Sequence, residues 1–185
     1  MAAYSTIRKS LFRIASQALI EYFPTSLEQN KGIFFSHTGG SEPSTPFVVI
    51  NILGIQQTGR SQTSGLLDAS LNVSVQASYE VTVQFSFCGS TAGDMAQSFT
   101  QRLNGNPVVM EALRKEGLGY MRKSNLRRAP QKRKTQWVEY FNQDFIFSYV
   151  VNTQQPVDYV ETVVIEDQTQ DPSQTFTVPP NVPIP

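Results

Sequence analysis

Residues 71–88 read LNVSVQASYEVTVQFSFC, and apolar and polar side chains alternate along almost all of this stretch. Successive side chains of a β-strand point to opposite faces of a sheet, so the alternation predicts an extended strand or hairpin with one wet face. Upstream, residues 47–57 (FVVINILGIQQ) are apolar on both sets of alternate positions. That pattern predicts a central strand covered on both faces, followed by a loop at Gly59–Leu66.

Helices are predicted on both sides of these strands. Residues 5–23 carry apolar side chains at three- and four-residue steps, and Pro24 ends the pattern. Ser90–Asp94 resembles a capping box at the start of a second helix. Asn106-Pro107 begins a third, short helix, which Gly117 closes.

The remaining segments complete the predicted domain. We expect Leu118–Leu126 to return to the sheet, Arg127–Lys134 to form a basic loop, and Trp137 to begin a long strand. A final strand is expected at Val157–Ile165. The order of elements predicts an α+β fold, a mostly antiparallel β-sheet with an N-terminal helix and two central helices packed on it.

We expect two parts in the chain: a single domain over residues 1–165 and a C-terminal extension over residues 166–185. The extension contains five of the 11 prolines, among Gln, Thr, Asp and Ser. Such a composition cannot carry a compact core, and alone it is expected to be extended or disordered. Phe176 and Val178 are apolar residues within it that could dock on a partner. A plain flexible end is the alternative.

The charges are sorted along the chain. The first 134 residues hold all 15 Lys and Arg against 8 acids, and the last 51 hold 7 acids and no base, so +7 and −7 cancel. This polarity suits a subunit whose positive region meets the negative region of a neighbour, although a solvated basic loop and an acidic terminus explain it equally well. The expected interface residues are Arg122, Lys123, Arg127, Arg128, Lys132, Arg133, Lys134, Glu161, Glu166, Asp167, Asp171, Phe176 and Val178.

Catalytic and metal sites have little support. The chain contains one cysteine, Cys88, and one histidine, His37, whereas a structural zinc site needs four ligands. Cys88 ends a strand pattern and is interpreted as a buried, inert thiol, with a Cys–His dyad as a remote alternative. No nucleotide-binding or hydrolase motif occurs, so we expect no cofactor and no enzymatic activity. We also expect no signal peptide and no membrane span.

Four segments together resemble the neck or tail terminator proteins of tailed bacteriophages. They are the strand with its Gln-x-Gly-Arg exit at Phe47–Arg60, the alternating strand Tyr79–Gly89 with the helix after it, Trp137 opening a strand, and Tyr159–Ile165. Each motif is degenerate, and their order carries the resemblance over about Ile7–Ile165. Ser61–Ala77 is longer than the usual connection in that family, and the extension is not part of its pattern.

The resemblance implies a structural virion protein that forms a ring, commonly of six copies, on the tail tube. Such a ring ends the tube and joins it to neck or head-connector proteins, and the subunit would occupy the host cytoplasm during assembly. The family has no catalytic residue or cofactor to carry over. Ring contacts are heterologous, and separated basic and acidic regions suit them.

Two alternatives remain from the residues. One is another head- or tail-completion role. The other is nucleic-acid binding by residues 122–134, flanked by Tyr120 and Trp137, although the pI of about 6.6 is not that of a dedicated DNA-binding domain. The same segment could also contact DNA in a ring lumen. Reversing the charges of Arg127, Arg128, Arg133 and Lys134 is expected to leave the subunit folded and to impair its incorporation.

Overall fold

A computed structural model describes residues 2–36, 46–67, 72–133 and 136–156 of the protein. These ranges contain four helices: α1 (Ala2–Ala18), α2 (Ser26–Gly32), α3 (Ala92–Gly105) and α4 (Pro107–Lys115). They also contain nine strands: β1 (Ile33–Phe35), β2 (Phe47–Gln57), β3 (Gln62–Leu67), β4 (Asn72–Cys88), β5 (Leu118–Lys123), β6 (Arg127–Arg128), β7 (Gln131–Arg133), β8 (Gln136–Val138) and β9 (Tyr140–Pro156).

Seven strands form one sheet. Its main order is β1-β2-β4-β9-β5, with β3 beside β4 and β6 beside β9. The β1–β2 pair is parallel, whereas β2–β4, β5–β9 and β6–β9 are antiparallel. Strands β7 and β8 form a separate two-stranded antiparallel sheet. The predicted α+β class with a mostly antiparallel sheet is therefore confirmed.

Helices α1, α3 and α4 cover one face of the large sheet and bury a cluster of aromatic rings. Phe99 of α3 lies with its ring centroid 4.6 Å from that of Phe85 and 5.2 Å from that of Phe145. All three side chains are fully buried. Burial of each such side chain stabilises the fold by about 1.5–3 kcal/mol. The alternation of apolar and polar residues over 71–88 thus places Phe85 and Phe87 on the core face of β4.

Contacts divide the chain into two units. The first comprises Met1–Gln62 and Gln76–Asn152, and it holds the aromatic core and all four helices. The second comprises Thr63–Val75 and Thr153–Pro185, and its described residues are strand residues of β3, β4 and β9. Cys88 is buried, as predicted, beside Phe47 and Tyr140.

The helix ends follow the predictions only in part. The Asn106 side chain caps α4 by accepting a hydrogen bond from the Val108 amide at 2.9 Å, and Gly117 has a positive φ of 68° beyond that helix. The capping box predicted at Ser90–Asp94 is wrong. Thr91, at the N-cap, has φ −100° and ψ 12° rather than an extended backbone, and its side chain makes no capping hydrogen bond.

Two further helix boundaries differ from the prediction. The first helix ends at Ala18, and turns complete the segment as far as Phe23, whose amide donates to the Leu19 carbonyl at 3.0 Å. Helix α2 was not predicted, because seven mostly polar residues produce no apolar stripe. Its capping box does lie in the sequence: the Thr25 hydroxyl accepts from the Glu28 amide at 3.2 Å, and the Glu28 carboxylate accepts from the Thr25 amide.

Four strand predictions also need correction. Coverage of β2 on both faces holds only for its first part: Phe47, Val48 and Ile50 are buried, whereas every residue from Leu53 to Gln57 is exposed. The strand also bulges between Ile52 and Gly54. The predicted loop Gly59–Leu66 contains most of β3, and the predicted basic loop Arg127–Lys134 contains β6 and β7. Trp137 does not begin the long strand but lies in β8.

Candidate assembly surface

Two short strands bring most of the predicted basic residues to one side of β9. Strand β5 pairs Lys123 with Phe145, and β6 pairs Arg127 with Asn142, so both follow the same partner strand. Strand β7 carries Lys132 on the small sheet nearby in sequence. We call these residues the basic edge: Arg122, Lys123, Arg127, Arg128 and Lys132.

Three acids of the same chain pair with three arginines of the basic edge. Arg127 Nη2 lies 2.7 Å from Asp144 Oδ2. Arg128 makes a two-point contact with Glu139, including Nε to Oε2 at 2.9 Å. Arg122 and Glu80 approach only to 4.0 Å. These pairs are exposed, and each is worth at most about 1 kcal/mol.

The Arg128–Glu139 pair also favours the charged form of both its groups. The hydrogen bond from Arg128 lowers the pKa of the Glu139 carboxyl below its usual value, and the same bond raises the pKa of Arg128. Glu139 and Asp144 belong to the acidic part of the sequence that was expected to meet the basic region of a neighbour. They instead meet basic residues of their own chain.

Two lysines of the basic edge have no such partner. Among the residues that the structure describes, no carboxylate lies within 4.0 Å of the ammonium of Lys123 or Lys132. Five bases against three paired acids leave the edge with a net charge of +2. Lys123 and Lys132 are therefore the charges with the most freedom to contact a partner.

An exposed tryptophan adjoins the basic edge. Trp137 is 72% exposed, the largest such fraction among the exposed apolar side chains described, and it pairs across β7 and β8 with Lys132. Tryptophan is enriched among residues that dominate binding energy at protein interfaces. Tyr120, which the sequence placed at the other flank, instead packs half-buried with its ring centroid 6.0 Å from that of Phe147.

A polar pocket of about 400 Å³ lies beside Lys123, between α3 and the β5–β6 connection. At its base the Thr100 hydroxyl donates to Gln143 Oε1 at 3.0 Å, and Gln143 Nε2 donates to the Ser124 carbonyl at 2.9 Å. Sequence reasoning did not identify this network. Its members are 19 and 43 residues apart in sequence, and they meet only because α3 packs against β9 and the chain after β5 runs beside it.

A second exposed edge lies at the other end of the strand order. Past Ile50, within the described residues, no strand pairs with β2 on its β1 side. This segment, Asn51–Gln57, is here called the open edge. Leu53 and Ile55 are exposed within it. An unpaired strand edge presents free hydrogen-bonding groups that another chain can extend.

Several predicted interface residues lie outside the described residues. These are Lys134, Glu161, Glu166, Asp167, Asp171, Phe176 and Val178. The backbone of Arg133 belongs to β7, but its side chain is not described. His37 lies outside as well, so a dyad with Cys88 stays a hypothesis.

The described part of the chain has neither a metal-binding cluster nor a membrane-spanning helix. No group of three or more His, Cys, Asp or Glu side chains there could hold a metal ion. No described helix has both the length and the apolar character needed to cross a bilayer.

Comparison with known proteins gives one clear assignment. No individual curated protein matches the sequence. The family described as phage neck terminator protein matches residues 9–172, which is most of the chain. The match contains the aromatic core, the basic edge and the open edge. The chain therefore belongs to the phage neck terminator protein family, a family of structural phage proteins.

Proposed function

We propose that the protein forms a closed ring, of six copies, that ends the tail tube of a phage and joins it to neck or head-connector proteins. The observation that carries this proposal is the family match over residues 9–172. A ring that terminates a tube needs one surface for the tube, another for the connector, and two more for its own neighbours. The virion neck would be its site of action.

The two sheet edges offer different surfaces for front-to-back contacts. In the order β1-β2-β4-β9-β5, the open edge lies at the β2 side and the basic edge at the β5 side. A heterologous contact joins two unlike patches, and it closes into a ring when the rotation is right. The open edge, which no described strand extends, and the basic edge with its exposed tryptophan are two such unlike patches.

The basic edge suits an acidic partner of modest charge. Arg127 and Arg128 are held by their own acids, so they orient the surface more than they attract a partner. Lys123 and Lys132 supply the remaining attraction. Acids of the neighbour's C-terminal part are the proposed partners: Glu161, Glu166, Asp167 and Asp171.

Two features of the chain accompany this role. We propose that residues 1–165 form the terminator domain and that residues 166–185 are an extension that contacts other subunits. We also propose that the protein has no enzymatic activity, in keeping with a structural family. Burial of Cys88 keeps its thiol away from any substrate.

Nucleic-acid binding is a weaker candidate as the main function. Phosphate binding would need the arginines to leave Asp144 and Glu139, and the described side chains of the edge carry a net charge of +2. Binding driven by so few charges is weak and falls steeply with salt. A passing contact with DNA inside the ring remains compatible with the proposed position in the neck.

The proposal is tested by reversing the two lysines without acidic partners. Reversing Arg127 and Arg128 would be a poorer test, because these arginines pair with acids of their own chain. A glutamate at either position would face Asp144 or Glu139 and destabilise the fold. We expect the double variant Lys123→Glu, Lys132→Glu to remain folded and its incorporation into particles to fall about tenfold or more, equivalent to about 1.4 kcal/mol.

The matched control is the double variant Arg114→Glu, Lys115→Glu. It makes the same change in net charge at two exposed positions of α4 that belong neither to the basic edge nor to the open edge. Circular dichroism and thermal unfolding verify the fold, and quantitative mass spectrometry of purified particles measures incorporation. Normal incorporation of the lysine variant, or equal loss in the control, would contradict the proposed contact.

A further inference from the structure

A groove of about 540 Å³ runs between α1, α2 and β1, and none of its lining residues belongs to the basic edge or to the open edge. Its apolar lining comes from Tyr4, Phe12 and Phe35, and its cationic lining from Arg8, Lys9 and Arg13. The groove is therefore aromatic inside and positive at its rim. Neither the basic cluster in the sequence nor the family match explains it.

The helical spacing of α1 brings aromatic and cationic side chains together in the groove. Tyr4, Arg8 and Phe12 recur every four residues and so lie on one face of α1. The Arg8 guanidinium lies 4.5 Å from the centroid of the Phe35 ring, in a cation–π contact. Three aromatic rings, with a guanidinium held over one of them, thus form a preorganised wall.

The rim charges differ in how they are held. Arg13 is bound to Glu116 at 2.7 Å, with its side chain 66% exposed. Lys9 is exposed, and none of the described carboxylates lies within 4.0 Å of its ammonium. Lys9 is therefore available to a carboxylate that enters the groove from another chain.

Aromatic-lined grooves are the usual receptors for proline-rich segments, which bind as a preformed polyproline II helix with the spacing P-x-x-P. This chain carries such a segment at its own end. Pro180-Asn181-Val182-Pro183 has that spacing, Pro179 precedes it, and Asp171 lies upstream. No base occurs after residue 134, so the segment has the charge opposite to that of the groove rim.

We propose that the groove binds the C-terminal segment Asp171–Pro185 of a neighbouring copy. The P-x-x-P residues lie on the aromatic wall, and Asp171 pairs with Lys9. The inference deepens the proposed ring, on which it rests, by naming one contact that holds adjacent subunits together. Each copy gives its segment to one neighbour and receives a segment from the other, as ring closure requires.

The length of the connection permits such an exchange. From residue 166, where the proposed extension begins, to Pro179 there are 14 residues, which cover about 43 Å at the polyproline rise. Neighbouring compact domains of this size have centres about 40 Å apart. An extended connection can therefore reach the next copy.

Photo-crosslinking of the full chain tests the site directly. A benzophenone amino acid replaces Phe176, and equal amounts of isotopically heavy and light protein are mixed before assembly with tail tubes. We expect heavy–light crosslinks from position 176 to peptides of α1 and β1. Crosslinks only within one copy, or only to other parts of the neighbour, would overturn the inference while leaving the ring intact.

Absence of any ring or oligomer in the same sample would instead remove the proposed function, and this inference would fall with it. The two failures are thus distinguishable by electron microscopy of the crosslinked sample. A crosslink to a tail or connector protein alone would mean that the segment serves a different partner, which also overturns the inference.

A charge exchange tests the pairing of Lys9 with Asp171. We expect Lys9→Glu to raise the concentration needed for half-maximal assembly about tenfold, and Lys9→Glu with Asp171→Lys to restore it. Lys115→Glu, a reversal at an exposed lysine of α4, is the matched control and should have little effect. Assembly unaffected by Lys9→Glu, or no rescue by the exchange in a folded protein, would contradict the site.

Discussion

Arg127 donates a hydrogen bond to Asp144 across 2.7 Å, and through it a basic residue of β6 meets an acidic residue of β9. Gln84 Nε2 donates to the other carboxylate oxygen at 3.0 Å, so Asp144 links β4, β6 and β9. The sequence segregates charge along its length, but the fold brings part of that charge together again. The positive charge that remains for contact with partners is smaller, and confined to fewer residues, than the sequence suggests.

Glu116 joins α4 to α1, and its removal should change stability in a pH-dependent way. It accepts hydrogen bonds from Ser10 and Arg13, both at 2.7 Å, and the bond from Ser10 followed by that from Arg13 lowers the pKa of its carboxyl below 4.5. A lowered pKa in the folded state means that the ionised group stabilises the fold above pH 4.5, and that this stability is lost as pH falls through the folded value.

We therefore expect Glu116→Gln to lower the free energy of unfolding at pH 7 by about 1 kcal/mol and to have a smaller effect near pH 2.5. Urea denaturation at the two pH values measures the difference. Glu111→Gln is the control, since the ion pair that Glu111 makes within the described residues is with Lys115, at 3.8 Å on the surface of the same helix. An equal loss at both pH values would show that the carboxylate charge is not responsible.

Substitution of a buried aromatic residue should lower stability, whereas substitution of an exposed one should impair assembly alone. Phe99→Ala removes a ring that three buried phenylalanines contact, and it should cost about 3–5 kcal/mol of unfolding free energy. Trp137→Ala should change stability by less than about 0.5 kcal/mol and still reduce incorporation into particles. Chemical denaturation and particle composition measure the two effects. A stable Trp137→Ala variant that assembles normally would remove Trp137 from the proposed interface.

Gly32 is predicted to tolerate no side chain. A Cβ built there would lie 2.2 Å from Phe23 Cε1, and Phe23 is buried, so Gly32→Ala should cost about 1–3 kcal/mol through overpacking. Gly105→Ala is the control, because nothing lies within 4 Å of its added Cβ; it should be neutral or stabilising by up to about 1 kcal/mol. Thermal unfolding of both variants tests this contrast, and a tolerated alanine at Gly32 would contradict the packing.

Deletion of residues 167–185 should spare the fold and impair assembly. We expect the truncated protein to keep the cooperative thermal transition of the full chain, since the proposed domain ends at residue 165. The same protein should lose the contact proposed for the groove of α1. Loss of the thermal transition would show that the extension contributes to the core, whereas undiminished assembly would show that it is dispensable for the ring.

The elements predictable from sequence are those encoded by local patterns. Strand β4 follows from alternation that continues for a whole strand, and α4 follows from the Asn106 cap and Gly117. Strands β6 and β7 were not predictable, because their short, polar sequences show no alternation of apolar and polar residues. They are strands only because β9 pairs with β6 and β8 pairs with β7. Helix α2 had a readable signal at Thr25 and Glu28.

The candidate surface was predictable in composition but not in geometry. The sequence identifies the basic cluster. It does not show that Arg127 meets Asp144, or that Lys123 has no described acidic partner. The register of β5 and β6 on β9 decides which basic residue lies beside an acid. Trp137 gave a signal as the lone tryptophan beside that cluster. The groove of α1 was not predictable, because its residues lie off the apolar stripe of the helix and because Phe35 comes from another element.

Electron cryomicroscopy of the necks of intact virions tests the ring most directly. We predict one closed ring of this protein at the head-proximal end of the tail tube, in which each copy contacts its two neighbours through unlike surfaces. Two-fold related pairs in place of that ring, or purified virions that lack the protein, would contradict the account.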